Sequence, residues 1–456
     1  MIWKTAQPAF QVEKIDLQNG LVVLLENIPH RTSATIGLWL PVGSRFERKS
    51  ESGYSHFVEH MLFKGTRKRH YTEISRAVDR LGGHMNASTS KEITDYYISL
   101  SSRHIPVALD VLADMFFDST FSKEEFAAEK KVIVEELKMG EDQPDDYLFD
   151  LFYESQIGDN SLGRPIAGNA RGISRTTRDD LYEYYRSHYG PQGTVLSLAG
   201  ALYSNKSEKR ALIAEIVRNF DRHDHALQGK PGYHSEEFRD AEFQTERKPK
   251  QRLMKHQAKD LEQINFVLSL PGEKMRLDQP ADLQVLTHYL GGTMSSRLFV
   301  ELREKKGLCY SVSTFHSQFL HEGVWGIFCA TSPDKYTNAV ETALHEVNEL
   351  TSGIDAGELE ESKSGLRGSV ELAMESAYRR ASFNARTHLY YGIVKDWRDY
   401  LVQLDKVTPT TFLAALRGVW RGASPGITSL GPKISAGTKK ETLDACKTAA
   451  AKLIYV

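Results

Sequence analysis

Cysteine is nearly absent: Cys309, Cys329 and Cys446 are the only three in 456 residues, and no two have CxxC or zinc-ribbon spacing. A disulfide framework and a thiolate-bound structural zinc are thereby excluded, and free thiols in a reducing compartment are expected. An excess of one charge is lacking too, with 58 Lys and Arg against 60 Asp and Glu and a formal net charge of -2. Nothing in such a balance draws nucleic acid or an anionic membrane, and basic runs such as Lys64 to Arg69 are short. No stretch approaches the roughly 18 uncharged apolar residues of a membrane span. The first residues, Met1 to Pro8, form neither an apolar stretch ending in small residues nor an Arg-rich amphipathic leader, so a cytoplasmic protein is expected.

What is present is concentrated in one short run, Ser55 to Phe63, where His56, Glu59 and His60 form an H-x-x-E-H arrangement. On a helix, positions i and i+4 are neighbours, so the two imidazoles can grip one ion while Glu59 reaches the same side. This order reverses the commoner H-E-x-x-H and is the inverzincin form of a zinc peptidase motif. Phe57, Val58, Met61 and Leu62 make the rest of the helix apolar, and buried polar groups are costly unless something, here a shared metal ion, satisfies them. The bland alternative is a pair of core histidines bonded to backbone carbonyls, with Glu59 held by a basic side chain.

A chain of this length suggests several domains, since domains cluster near ~100–200 residues. The polar segment from Asp221 to Arg252 reads as a connector, and the same order of elements recurs on either side of it. Alternating strands at Leu21 to Glu26 and Ala34 to Val42 are answered by Gln263 to Leu270. The motif helix ending before Gly65 and Thr66 is answered by one ending before Gly292 and Thr293. The helix pair Ala108 to Phe117 and Phe121 to Leu137 is answered by Ala339 to Leu350 and Ile354 to Leu372. An α+β protein of two structurally related domains follows, each a mostly antiparallel sheet packed against helices and arising from internal duplication. The expected division is 1–222 for a zinc-binding catalytic domain, 223–252 for the linker and 253–456 for a second domain without metal. Sliding the halves together sets Leu283, Leu286 and Thr287 at the places of His56, Glu59 and His60, so the second copy cannot bind the ion.

A peptidase zinc needs three protein ligands and an open position, and Glu136 is the expected third. Its helix opens with a capping box, Ser122 and Glu125, and carries Glu129 seven residues before Glu136 on the same face. One of the two can ligate and the other support. Without the histidines, both would read as a solvated face paired with Lys130 and Lys131.

Three runs, His56 to Thr66, Asn86 to Tyr97 and Glu129 to Glu136, closely resemble the pitrilysin and insulin-degrading enzyme family, above all its short-chain branch of mitochondrial processing peptidases and bacterial relatives. The resemblance implies one Zn2+ per chain held by His56, His60 and Glu136, with Glu59 as general base and Glu129 as a supporting carboxylate. It also implies a substrate-binding edge strand at Asn86, Ala87, Ser88 and Thr89. The physics of such a strand is independent of the name, because an extended peptide can add to an exposed sheet edge through backbone hydrogen bonds. Ile93 and Ser88 depart from the residues relatives often carry there, which bears on side-chain preference and not on backbone pairing.

In the second half, Ser295 to Val312 resembles another signature of the family. Gly307 suits a helix C-cap, which places Arg303 on the last turns of a helix and Tyr310 on the following strand. The resemblance assigns both to binding substrate backbone and stabilising the tetrahedral intermediate. It further implies a zinc metalloendopeptidase that cleaves unfolded peptides inside a closed chamber formed by a homodimer. The rival reading is a non-catalytic structural or partner subunit of a related heterodimer.

Overall fold

The computed structural model describes residues 11–158, 160–235, 254–420 and 425–454. They divide into two compact units, one comprising 11–137, 166–235 and 372–397, the other 138–158, 160–165, 254–371, 398–420 and 425–454. Both are sheets packed with helices, the expected α+β duplication.

The first unit begins with strands β1 (Glu13–Asp16), β2 (Val22–Asn27) and β3 (Ser33–Leu40), then helices α1 (Tyr54–Leu62) and α2 (Tyr71–Asp79). The hairpin β4 (His84–Thr89) and β5 (Thr94–Ser101) follows, then α3 (Ile105–Asp118) and α4 (Lys123–Asp142). After α5 (Pro144–Ile157) come α6 (Ala170–Arg175), α7 (Arg178–His188), β6 (Val195–Gly200) and α8 (Lys206–Phe220). The sheet order is β1-β2-β6-β3-β5-β4, antiparallel except for the β2/β6 pair. Successive residues of a strand face opposite sides. Ala34, Ile36, Leu38 and Leu40 of β3 accordingly join one core with side chains of α1, α3 and α7. Trp39, on the other side, meets Tyr378 with ring centroids 6.4 Å apart.

The second unit contains β7 (Met254–Ala258), β8 (Ile264–Gly272), α9 (Asp282–Gly291), β9 (Cys309–Gln318) and β10 (Gly323–Thr331). Beyond them run α10 (Tyr336–Glu349), α11 (Ala356–Ala373), α12 (Ala377–Tyr391), α13 (Arg398–Asp405), α14 (Pro409–Trp420), β11 (Gly426–Gly431) and α15 (Ala436–Ile454). Its sheet order is β7-β11-β8-β10-β9, with β7/β11 the parallel pair. Matching β7, β11, β8, β10 and β9 to β2, β6, β3, β5 and β4 reproduces the order of the first sheet apart from its edge strand β1, including the position of its parallel pair. The duplication is therefore a repeat of topology.

The units are not the continuous halves 1–222 and 253–456 that the sequence suggested. The helix after α4, α5, belongs to the second unit, where Leu148, Leu151 and Phe152 pack with Val267, Phe328 and Leu430. The helix after α11, α12, belongs to the first unit, where Arg380 and Asn384 each reach the buried Glu26 at 2.8 Å. Equivalent helices are exchanged, because an apolar stripe demands a sheet to cover without specifying which one.

The early part of the expected 223–252 connector packs on the first unit. Gln228 N–H donates to the Arg186 carbonyl at 2.9 Å, and buried Tyr233 donates its N–H to the Leu389 carbonyl at 3.1 Å. Residues 236–253 lie outside the described residues. Among the described residues no helix is long and apolar enough to cross a membrane.

Candidate metal centre

The motif helix α1 is fixed at its start by a residue that precedes it. Gly53 lies at φ 93°, and a Cβ there would come within 2.6 Å of the Ala167 carbonyl oxygen, so the chain requires glycine. The buried carboxylate of Glu47 accepts from Gly53 N–H at 2.8 Å and from Ser55 N–H at 2.7 Å, capping the first turn from outside. An acceptor anion at this end of a helix is worth about 1 to 2 kcal/mol. Phe57, Val58, Met61 and Leu62 are fully buried, which turns His56, Glu59 and His60 to the remaining, half-buried side.

Across from α1, Ser122 Oγ accepts from Glu125 N–H at 3.2 Å at the start of α4. This helix brings Glu129 and Glu136 to the histidines. His56 Nε2 and His60 Nε2 are 3.2 Å apart, and His60 Nε2 lies 3.5 Å from Glu136 Oε2. One donor atom from each of His56, His60 and Glu136 lies within 4.8 Å of the others, the only such group among the described residues. Tetrahedral zinc with bonds of ~2.0–2.1 Å separates its donors by roughly 3.3–3.4 Å, so the two short separations are already those of a coordination shell.

The surrounding hydrogen bonds prepare that shell. His60 Nδ1–H donates to Glu129 Oε1 at 2.8 Å, which leaves the Nε2 lone pair directed at His56 and Glu136. The other Glu129 oxygen is held by the Lys64 ammonium at 2.6 Å. Burial alone would raise the Glu129 carboxyl, but its bonds to His60 and Lys64 hold it below the usual carboxylate range. Burial, reinforced by His60, pushes His56 down to about 4, so its ring is neutral at pH 7 and a lone pair is available. His60 moves the other way: burial lowers it, yet the bond to Glu129 and the charges of Glu136, Glu129 and Glu59 raise it overall. Three carboxylates around two imidazoles, with Lys64 the ammonium bound among them, amount to a formal -2. A divalent cation neutralises that charge, and the N and O donor set suits zinc.

Glu59 is raised by burial, opposed by the hydrogen bond it accepts from the Thr89 hydroxyl. A carboxyl raised in this way takes up a proton more readily than an ordinary one, which suits a proton-transfer role. Thr89 closes β4, the terminal strand of the first sheet, whose side chains alternate between exposed and half-buried. Asn86 and Ala87 pair with Tyr97 and Tyr96 on the inner side, while Asn86 Oδ1 accepts from Ala87 N–H at 2.9 Å. Ser88 Oγ donates to Asp95 at 2.7 Å.

In the second unit, Arg303 lies in a π-helical turn, Phe299–Lys305, and Gly307 ends it at φ 57°. The guanidinium lies over two rings, 4.7 Å from the centroid of Phe299 and 4.9 Å from that of Tyr310. Tyr310 is 72% exposed at the start of β9. Leu283 and Leu286 are buried core residues, and Thr287 Oγ1 donates to the Leu283 carbonyl at 2.6 Å while accepting from Trp325 at 3.0 Å. The second copy thus fills the ligand positions with core. Glu47, Lys64 and the bond from Thr89 to Glu59 escaped the sequence reading, because each joins segments whose approach only the fold dictates. Lys64, four residues after His60, offered the one local hint.

Residues 22–170 match the family described as Insulinase (Peptidase family M16), and residues 175–366 match the Peptidase M16 inactive domain. An uncharacterized zinc protease of Bacillus subtilis is 37% identical over 397 residues, spanning 87% of this chain and 92% of its own length. Another, from Streptomyces coelicolor, is 34% identical over 424 residues, spanning 92% of this chain and 90% of its own. A Helicobacter pylori protease structure shares the fold at TM-score 0.80 with 21% identity, over 93% of this chain and all of that one. With a metal-ready His, His, Glu cluster in its first matched region and relatives that are zinc proteases along nearly their whole length, the chain belongs to peptidase family M16.

Proposed function

We propose that the protein is a zinc metalloendopeptidase of the inverzincin type, binding one Zn2+ per chain through His56, His60 and Glu136. The convergence of those three donors beside a buried, hydrogen-bonded Glu59 carries the reading. When bound, zinc supplies Lewis acidity to a water and to the scissile carbonyl. Glu59 takes the proton of the attacking water and returns it to the leaving amine. The outer edge of β4 receives the substrate as an added strand, with Asn86 and Ala87 nearest the scissile bond and Ser88 and Thr89 beyond. Recognition through backbone leaves side chains loosely read. Tyr310 donates to the carbonyl oxygen as negative charge develops there, and Arg303 binds substrate backbone.

Substrates are unfolded peptides that enter a closed chamber, and the chain works as a homodimer whose partner supplies Arg303 and Tyr310. The exposure of Tyr310, with the Arg303 guanidinium over its ring, supports a role in contacting a second molecule. Metal analysis is expected to give near one zinc per chain. Glu59→Gln is expected to retain that zinc while cleavage of a quenched fluorogenic peptide falls to background. Zinc-loaded wild type that cuts no member of a mixed peptide library would overturn the reading.

A further inference from the structure

Glu59 has a long side chain with several rotamers, and a general base must present one oxygen in one place. Its Oε2 is engaged by the Thr89 hydroxyl, leaving Oε1 to take a proton. Thr is stiff at χ1, so the direction of its hydroxyl follows its backbone. That backbone is pinned. Thr89 pairs with Thr94 at the closed end of the β4/β5 hairpin, and Thr94 Oγ1 donates to the Val42 carbonyl at 2.9 Å. The turn between them is closed by Ser90 N–H donating to the Ile93 carbonyl at 2.8 Å and by Ile93 N–H donating to Ser90 Oγ at 3.0 Å. Glu92, 2% exposed, anchors the turn in the interior: its carboxylate meets Arg45 at 2.8 Å and the Tyr390 hydroxyl at 3.0 Å, and its carbonyl accepts from the Tyr233 hydroxyl.

The hairpin end is thus a rigid mount, attached at one side to the interior and at the other to the base. We propose that Thr89 is a positioning residue, whose hydroxyl holds Glu59 in register with the β4 edge, so that the strand that receives the peptide also sets where the proton goes. The inference rests on the peptidase reading above. It gives Thr89 a duty different from side-chain contact with substrate.

The test compares Thr89→Val, which keeps the branched shape and loses the donor, with Thr89→Ser, which keeps the donor. Each is measured in the full-length zinc-loaded protein, with thermal unfolding and zinc content as controls. One lost hydrogen bond to an ionised acceptor should lower kcat roughly tenfold to a hundredfold in Thr89→Val. KM should stay within about twofold of wild type, as should the affinity of the same peptide for the metal-free variant, since backbone pairing does not use the hydroxyl. Thr89→Ser is expected to recover most of the loss. An unchanged kcat, a rise in KM in its place, or Thr89→Ser as slow as Thr89→Val would each overturn the positioning role. If zinc-loaded wild type cleaves nothing, the peptidase reading fails first and the inference falls with it, an outcome the wild-type control separates from the others.

Discussion

Glu129→Gln tests whether the metal site is organised from outside its ligands. Both Glu129 oxygens face donors, His60 Nδ1–H at 2.8 Å and the Lys64 ammonium at 2.6 Å, and the side chain is only 6% exposed. An amide fits that space but has one acceptor, so its NH2 must face either the imidazole N–H or the ammonium. The loss is therefore one charge-assisted bond plus an unrelieved donor-donor contact, about 1.5–3 kcal/mol. If His60 responds by turning or changing tautomer, its Nε2 lone pair leaves the cluster, and that energy appears in metal binding. Zinc affinity should then weaken roughly tenfold to a hundredfold. Competition against a fluorescent chelator near neutral pH reads this directly, with Glu136→Gln expected to weaken binding further because it removes a donor atom. A Glu129→Gln affinity within about twofold of wild type would refute the argument that the Lys64, Glu129 and His60 chain orients the ligand.

Two further outcomes follow from the first unit. Burial, with Lys14 and His234 adding, pushes His388 down to about 4 from 6.5. The unfolded chain takes up that proton first as pH falls, so the contribution to stability is complete above pH 6.5 and lost as pH falls toward about 4. His388→Leu should flatten that part of the pH dependence of urea unfolding, and an unchanged slope would count against it. A polypeptide ending at Thr245 lacks α12, which leaves buried Glu26 without Arg380 and Asn384. It should show no cooperative thermal unfolding by circular dichroism, and a transition matching that of the full chain would contradict the exchange of helices.

What the sequence disclosed was local or periodic. The spacing of His56, Glu59 and His60 is a property of one helix, and that of Glu129 and Glu136 of another. Both could be read from 3.6-residue periodicity alone. The repeat was visible because strand and helix patterns recur in order, and the strand orders of the two sheets agree with it. The convergence of α1 with α4 was expected only from the need for a third ligand, since tertiary packing decides which turn of one helix faces which turn of another; the family resemblance assigned Glu136 and Glu129 their separate roles. Glu47 capping α1, Lys64 holding Glu129 and Thr89 holding Glu59 are single contacts between separate segments, with no periodic signature. The ownership of α5 and α12 was hidden for a related reason. Each has the apolar stripe of a helix that covers a sheet, and the chain forms two sheets that share the order of five strands.

That exchange bears on why a half without ligands persists. The second copy has replaced the motif positions with Leu283, Leu286 and Thr287, the leucines in the core and Thr287 bonded within its helix and to Trp325, so it has no metal to lose. It still supplies α12, and through it the partners of Glu26, a 4% exposed carboxylate on β2. Stripping both partners from such a buried charge costs several kcal/mol, a large fraction of the stability of an ordinary domain. The fold of the first unit therefore depends on α12, a helix from the second half of the sequence, before any question of chemistry arises. With no ligands at these positions, the second half carries a π-helical turn further on, where the Arg303 guanidinium lies over the rings of Phe299 and Tyr310. π-turns cluster at functional positions because they strain a helix and persist where something compensates. Here the compensation is the contact of the Arg303 guanidinium with two aromatic rings.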